Sequence, residues 1–176
     1  MNFTKRMGFW FFTGTLVVLT GILFLRRRSS IDRTTVEIAD RQELLGLWYE
    51  LARFDHPFER GLQEVEARYT LLDDGTLKVE NSGFDPAVGA RRTAVGHAKF
   101  TPDSGRLRVS FFWKFYSDYN ILERGARGEW MLVGSRSPRY LWILARTDSL
   151  PAGEMEHILD RAREHGYDTS GLILRN

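Results

Sequence analysis

The sequence predicts an all-β fold: an eight-stranded up-and-down antiparallel β-barrel with one C-terminal α-helix packed outside, plus an N-terminal transmembrane helix. Three observations carry this reading. Between residues 46 and 146, apolar and polar residues alternate in short runs, with turn residues about every ten positions. After Pro151 the apolar spacing changes to three and four. Met7 to Leu25 contains no charged residue.

The strands follow in order. Trp48–Phe54 is the first, broken by Asp55, His56 and Pro57. Glu64–Leu71 sets Val65, Ala67, Tyr69 and Leu71 on one face, and Asp73-Asp74-Gly75 makes a hairpin turn. Leu77–Asn81 alternates again, with Val79 inward, and Gly83-Phe84-Asp85-Pro86 is expected to end it. Thr93–Phe100 places Ala94, Gly96, Ala98 and Phe100 together, small residues that suit a curved sheet. Pro102–Gly105 turns the chain into Arg106–Trp113, where Leu107, Val109, Phe111 and Trp113 oppose Arg108 and Ser110. Tyr119–Glu123, Trp130–Gly134 and Tyr140–Arg146 complete the eight. Met155, Ile158, Leu159 and Ala162 then form one helix face, Gly166 ends it, and Leu172–Leu174 is a short last strand. Hairpin-sized connections favour a barrel over a two-sheet sandwich, which needs longer crossovers.

Met7–Leu25 has the length of a bilayer-spanning helix, with Trp10 near one end. Arg26-Arg27-Arg28 follows at once and no A-x-A cleavage pattern appears, so an uncleaved anchor is expected over residues 1–28. Residues 29–40 read as a polar tether, and residues 41–176 as the barrel domain. Both flanks of the apolar run are basic, so charge does not set its orientation. The net charge of +2 is uneven: without Lys5, Arg6 and Arg26 to Arg28, 20 of the 25 basic residues face 23 acidic ones. No basic patch interleaved with aromatics suggests nucleic acid. The chain has no cysteine, which excludes disulfides, thiolate metal sites, a cysteine nucleophile and a lipidated N-terminal cysteine.

Gly46-x-Trp48, within LGLWYELARFDHPFERGL (45–62), resembles the first signature of the lipocalins, and most of all the bacterial outer-membrane and apolipoprotein-D-like members. YLWILAR (140–146) resembles their last-strand motif. The middle signature is degenerate: Gly125-Ala126-Arg127-Gly128 occupies its place. The resemblance covers about residues 40–176 and implies that Gly46, Trp48 and Arg146 close one end of the barrel. It also implies a lipid ligand, fatty acid or lysophospholipid, and a place in the bacterial envelope, outer-membrane associated or facing the periplasm. The bacterial members are typically tethered by a lipidated cysteine; here residues 7–25 would have to serve.

Little in the sequence points to catalysis. His157 and His165 read as solvated helix residues, His97 points outward, and His56 beside Asp55 reads as a turn or surface pair. No metal, cofactor or phosphate-loop motif is present. Inferred interior positions Tyr69, Val79, Phe111, Tyr119 and Trp142 are the expected tail site, with Trp113 and Tyr116 at the mouth and Arg136 or Arg139 receiving the head group. Loops at the open end also carry Phe54, Phe58, Phe84 and Phe115. The expected function is an acyl-lipid carrier that is not an enzyme. Its expected partners are the lipid, a membrane and a second copy of the chain. The alternatives are a lipid-modifying enzyme using His56 and a nearby carboxylate such as Glu59, or a protein-interaction module with a filled barrel.

Overall fold

The computed structural model describes residues 30–112 and 114–175. Trp113 and the expected membrane anchor lie outside the described residues. Among the described residues no helix is long and apolar enough to cross a membrane. The strands are β1 (Gly46–Phe54), β2 (Gln63–Leu71), β3 (Leu77–Asp85), β4 (Ala90–Phe100), β5 (Arg106–Ser110), β6 (Ser117–Arg124), β7 (Trp130–Gly134) and β8 (Leu141–Ala145). A helix, α1 (Ala152–Glu164), and a short strand, β9 (Leu172–Leu174), follow. Each strand pairs antiparallel with its neighbour in sequence, and β1 pairs with both β2 and β8, which closes the barrel. β9 adds to the outer part of β1, opposite Ala52 to Phe54.

Period-two alternation feeds two separate apolar clusters. Trp48, Tyr69, Val79, Ala98, Leu107, Ile121 and Val133 face into the barrel. Leu51, Leu122, Leu132 and Ile143 face outward, where Ile158 and Ala162 of α1 cover them. Thus β7 and β8 read as nearly continuous apolar runs, one face on the lumen side and one under the helix. β1 serves both clusters because a register shift between Glu50 and Ala52 changes which residues point outward. The helix ends in a Schellman pair: the Tyr167 N–H donates to the Ala162 carbonyl and the Gly166 N–H to that of Arg163.

Three boundaries differ from expectation. Gly83 does not break β3, which continues to Asp85 and pairs with Ala90 to Arg92. A Cβ there would lie 2.9 Å from Val65 Cγ2, so the glycine permits close packing. β5 stops at Ser110, and Phe112 and Phe115 turn away in a loop closed by the Phe115 N–H on the Phe112 carbonyl. Residues 30–40, expected as a free tether, are docked instead. Asp32 and Val36 donate backbone hydrogen bonds to His165 and Ile121, and Ile38 is 5% exposed in the inner core. The apolar Ile31, Val36 and Ile38 supply the packing that a free polar tether would lack.

Candidate functional site: a sealed floor and an apolar lumen

The floor is built where the chain enters β1. Gly46 adopts φ +90°, a conformation costly for other residues, and swings the chain from a 3-10 turn (Arg41–Leu44) under the barrel. Trp48 is 2% exposed, and its indole N–H donates to the Leu44 carbonyl at 2.8 Å. The Arg146 guanidinium lies 3.5 Å from the centre of the Trp48 ring. It also donates to the carbonyls of Leu47 at 2.8 Å and Glu43 at 2.6 Å. One cation thereby joins the first strand, the 3-10 turn and the end of β8.

Above the floor is a narrow cavity of about 80 Å³ that opens to solvent at its mouth. Tyr69, Val79, Ala98, Leu107, Val109 and Phe111 form much of its wall. Tyr69 and Tyr119 share a hydrogen bond at 2.8 Å between their hydroxyls. Burial pushes both phenols well above their ordinary range, so both keep their protons, one donating to the other.

A polar network crosses the mouth side of this cavity. The β1–β2 loop folds Glu59 inward, where it accepts from Asn81 Nδ2 at 3.1 Å and Trp142 Nε1 at 3.4 Å. His56 Nε2 lies 2.9 Å from the same carboxylate. Arg53 donates to Glu50 at 2.6 Å and to the carbonyls of Glu59 and Leu62 at 3.0 Å. Burial, reinforced by the charge of Glu59, pushes the Glu50 carboxyl up to about 8. Burial also acts to raise Glu59, but the hydrogen bond and charge of His56 outweigh it and hold that carboxyl below its ordinary value. Asn81 Oδ1 is buried without a hydrogen-bond partner.

The expected tail residues Tyr69, Val79, Phe111, Tyr119 and Trp142 all lie on this one cavity. Tyr116 does not line it; its ring instead lies 5.0 Å from Lys99 Nζ. Arg136 and Arg139 also lie off its wall. Arg136 lines an outer cleft with Asp118 and Ser30 to Thr34, and Arg139 is exposed. Two histidines depart from expectation. His165 is 6% exposed and lies 3.0 Å from Glu123, with the Asp32 carbonyl on its other ring nitrogen. His56 is 3% exposed and turns away from Asp55, which pairs with Arg60 instead. Its ring is enclosed by Phe58, Tyr140 and Trp142. Glu50, Asn81 and the inward turn of Arg53 escaped the sequence reading. The one available signal was Glu50 standing two residues after Trp48, hence on the same strand face. Among the described residues no group of three or more His, Asp or Glu could hold a metal ion.

Residues 39–176 match the family model for a lipocalin-like domain. The chain is a lipocalin. This lipocalin is 42% identical over 142 residues to the outer membrane lipoprotein Blc of Escherichia coli strain K12, covering 80% of each. It is 39% identical over 132 residues to the Blc protein of Vibrio cholerae, covering 73% of this chain and 77% of that one. Apolipoprotein D of Mus musculus is more distant, at 26% identity over 142 residues, 73% of this chain and 72% of that one. Insecticyanin of the tobacco hornworm Manduca sexta superposes with a TM-score of 0.66 at 18% identity, over 82% of this lipocalin and 84% of that chain, a likeness of fold.

Proposed function

We propose that this lipocalin binds and carries a lipid of the bacterial cell envelope, holding one acyl chain of a fatty acid or lysophospholipid in the barrel. The observation that carries this reading is the lumen itself: a narrow, largely apolar cavity sealed by the Trp48–Arg146 floor, with Glu59 and Asn81 on its mouth side and the paired Tyr69 and Tyr119 hydroxyls lower in its wall. Each methylene moved from water into such a wall contributes ~0.8 kcal/mol, so a long tail needs few polar contacts. Glu50, Glu59 and Glu66 line the cavity and no Lys or Arg does, so an anionic head group belongs outside the lumen, at the mouth. Two relatives named outer membrane lipoproteins support an envelope location. With no cysteine to carry a lipid, residues 7–25 are the anchor in this reading.

The test is extraction of the purified full-length protein with organic solvent and mass analysis, followed by binding of a fatty-acid series of decreasing length. Co-purified acyl lipids and affinity that declines with each methylene support the reading. A protein that carries none and binds none overturns it in favour of an interaction module. Lipid turnover abolished by His56→Ala would establish the enzyme alternative.

A further inference from the structure

The two ends of the barrel differ in character. Phe58, Phe112 and Phe115 are 77%, 73% and 72% exposed, and Val88 57%. They come from the β1–β2, β3–β4 and β5–β6 loops, which the up-and-down order places together at the open end. Phe112 and Phe115 stack with ring centres 6.2 Å apart, their outer faces in water. The loops at the floor end hold none of the exposed large apolar residues among those described. They carry Asp73, Asp74, Asp103, Glu129 and Asp148 against Arg127 and Arg146, with Arg41 in the 3-10 turn beside them. The open-end loops carry Arg60, Lys114, Arg136 and Arg139 against Asp55 and the buried Glu59, with Arg60 paired to Asp55 and Arg136 to Asp118. Exposed aromatics with basic neighbours fit an anionic lipid surface, whereas the floor end would be repelled by one.

The docked segment before β1 fixes which end lies beside the N-terminal residues. It runs down the outside of the barrel from mouth to floor. Ser30 to Thr34 share a cleft with Arg136 and Asp118, near the mouth ends of β7 and β6, and with Asn120 and Arg106 further down. Asp32 bonds to His165 just past the C-terminal end of α1. Lower down, Thr35 bonds to Asp103 and the Ile38 N–H to Ser104, both in the floor-side β4–β5 turn. Only residues 26–29 separate Ser30 from the apolar run, a reach of at most about 18 Å. An anchor in residues 7–25 would therefore enter the membrane beside the mouth.

From these placements we infer that the open rim docks on the bilayer that holds the anchor, so that an acyl chain passes from membrane to lumen without crossing water. The inference rests on the anchor assigned above, and the apolar rim and docked segment support it independently of what fills the lumen. Because the chain has no cysteine, single labels are unambiguous. Phe58→Cys and Phe115→Cys place a dye on the rim, and Asp73→Cys and Arg127→Cys place it at the floor. All four positions are in loops, so the fold is retained. Each full-length variant, carrying an environment-sensitive fluorophore, is reconstituted into phosphatidylethanolamine–phosphatidylglycerol vesicles containing nitroxide-labelled lipid. The expected result is a blue shift and loss of most emission at the rim, with floor labels unchanged. Vesicle-bound protein whose rim labels stay water-like, or whose floor labels are quenched as strongly, overturns the docking and leaves the anchor standing. Protein that does not float with the vesicles overturns both. Val79→Arg, which would block the lumen, should leave rim quenching intact, so failure of lipid carriage is read separately from failure of docking.

Discussion

Arg146 lies over Trp48 and also holds two backbone carbonyls, so the pair should act as one unit in stability. Trp48→Ala should cost ~3–5 kcal/mol, as for a large aromatic removed from a core. Arg146→Ala should cost less, and less again in the Trp48→Ala background; additive losses in urea unfolding would show that the two are energetically independent. Glu50 makes a second residue-scale prediction, this time about pH. The folded state keeps its proton up to about 8, against an ordinary value of 4.5, so between these limits the folded protein binds more protons than the unfolded chain. Its contribution to stability is therefore full below pH 4.5 and lost as pH rises toward 8. Its neighbour Glu59, held below its ordinary value, responds at lower pH. Glu50→Gln should flatten the decline by up to a few kcal/mol, and an unchanged slope between pH 5 and pH 8 would mean that Glu50 is ionised throughout.

The segment before β1 shows what packing adds at the scale of an element. Ile38 is buried in the inner core beside Leu44, and its N–H is held by Ser104. A chain beginning at Ile31 keeps these contacts, whereas one beginning at Arg41 loses them. The shorter chain should be less stable by at least the ~1.5–3 kcal/mol of one buried apolar side chain, read as a lower urea midpoint. Equal midpoints would mean that the segment is not held in solution. The sequence made the strands legible because a barrel wall buries one face, and Val65, Ala67 and Tyr69 or Leu107 and Val109 declare that face by alternation. It did not declare the docked segment, whose Ile31, Val36 and Ile38 are too sparse to mark a period. Nor did it reveal that Gly83 stays in its strand, since a glycine there reads alike as a breaker and as a point of close approach.

The whole molecule combines a sealed barrel with an apolar N-terminal run, and each half makes its own prediction. The intact protein should resist salt and alkaline extraction from membranes, and a chain beginning at Ile31 should be soluble and folded; native protein in the soluble fraction with an N-terminus near residue 30 would show that the run had been cleaved. The lumen was the more legible half of the site, because inward positions follow from strand parity. The polar cluster was hidden, because Glu59 and His56 reach it from a loop whose path no period encodes. That division decides where to probe the ligand. Truncating Trp142 would both widen the cavity and free Glu59 from its indole donor, so its effect has no single sign. Adding to the wall is cleaner. Val79 and Ala98 are 5% and 3% exposed on the neighbouring strands β3 and β4, and both line the cavity. Val79→Arg puts a charge in the path of the tail, and Ala98→Trp fills the path with an apolar ring. Overpacking should cost ~1–3 kcal/mol of stability, so each variant is first checked for a cooperative unfolding transition. Folded variants should lose binding of fatty acids and lysophospholipids, while His97→Ala, exposed on the outer face of β4, should bind as the parent does. If folded Val79→Arg and Ala98→Trp both bind these lipids as tightly as the parent protein, the acyl chain does not occupy the barrel and the ligand must lie on the outer surface.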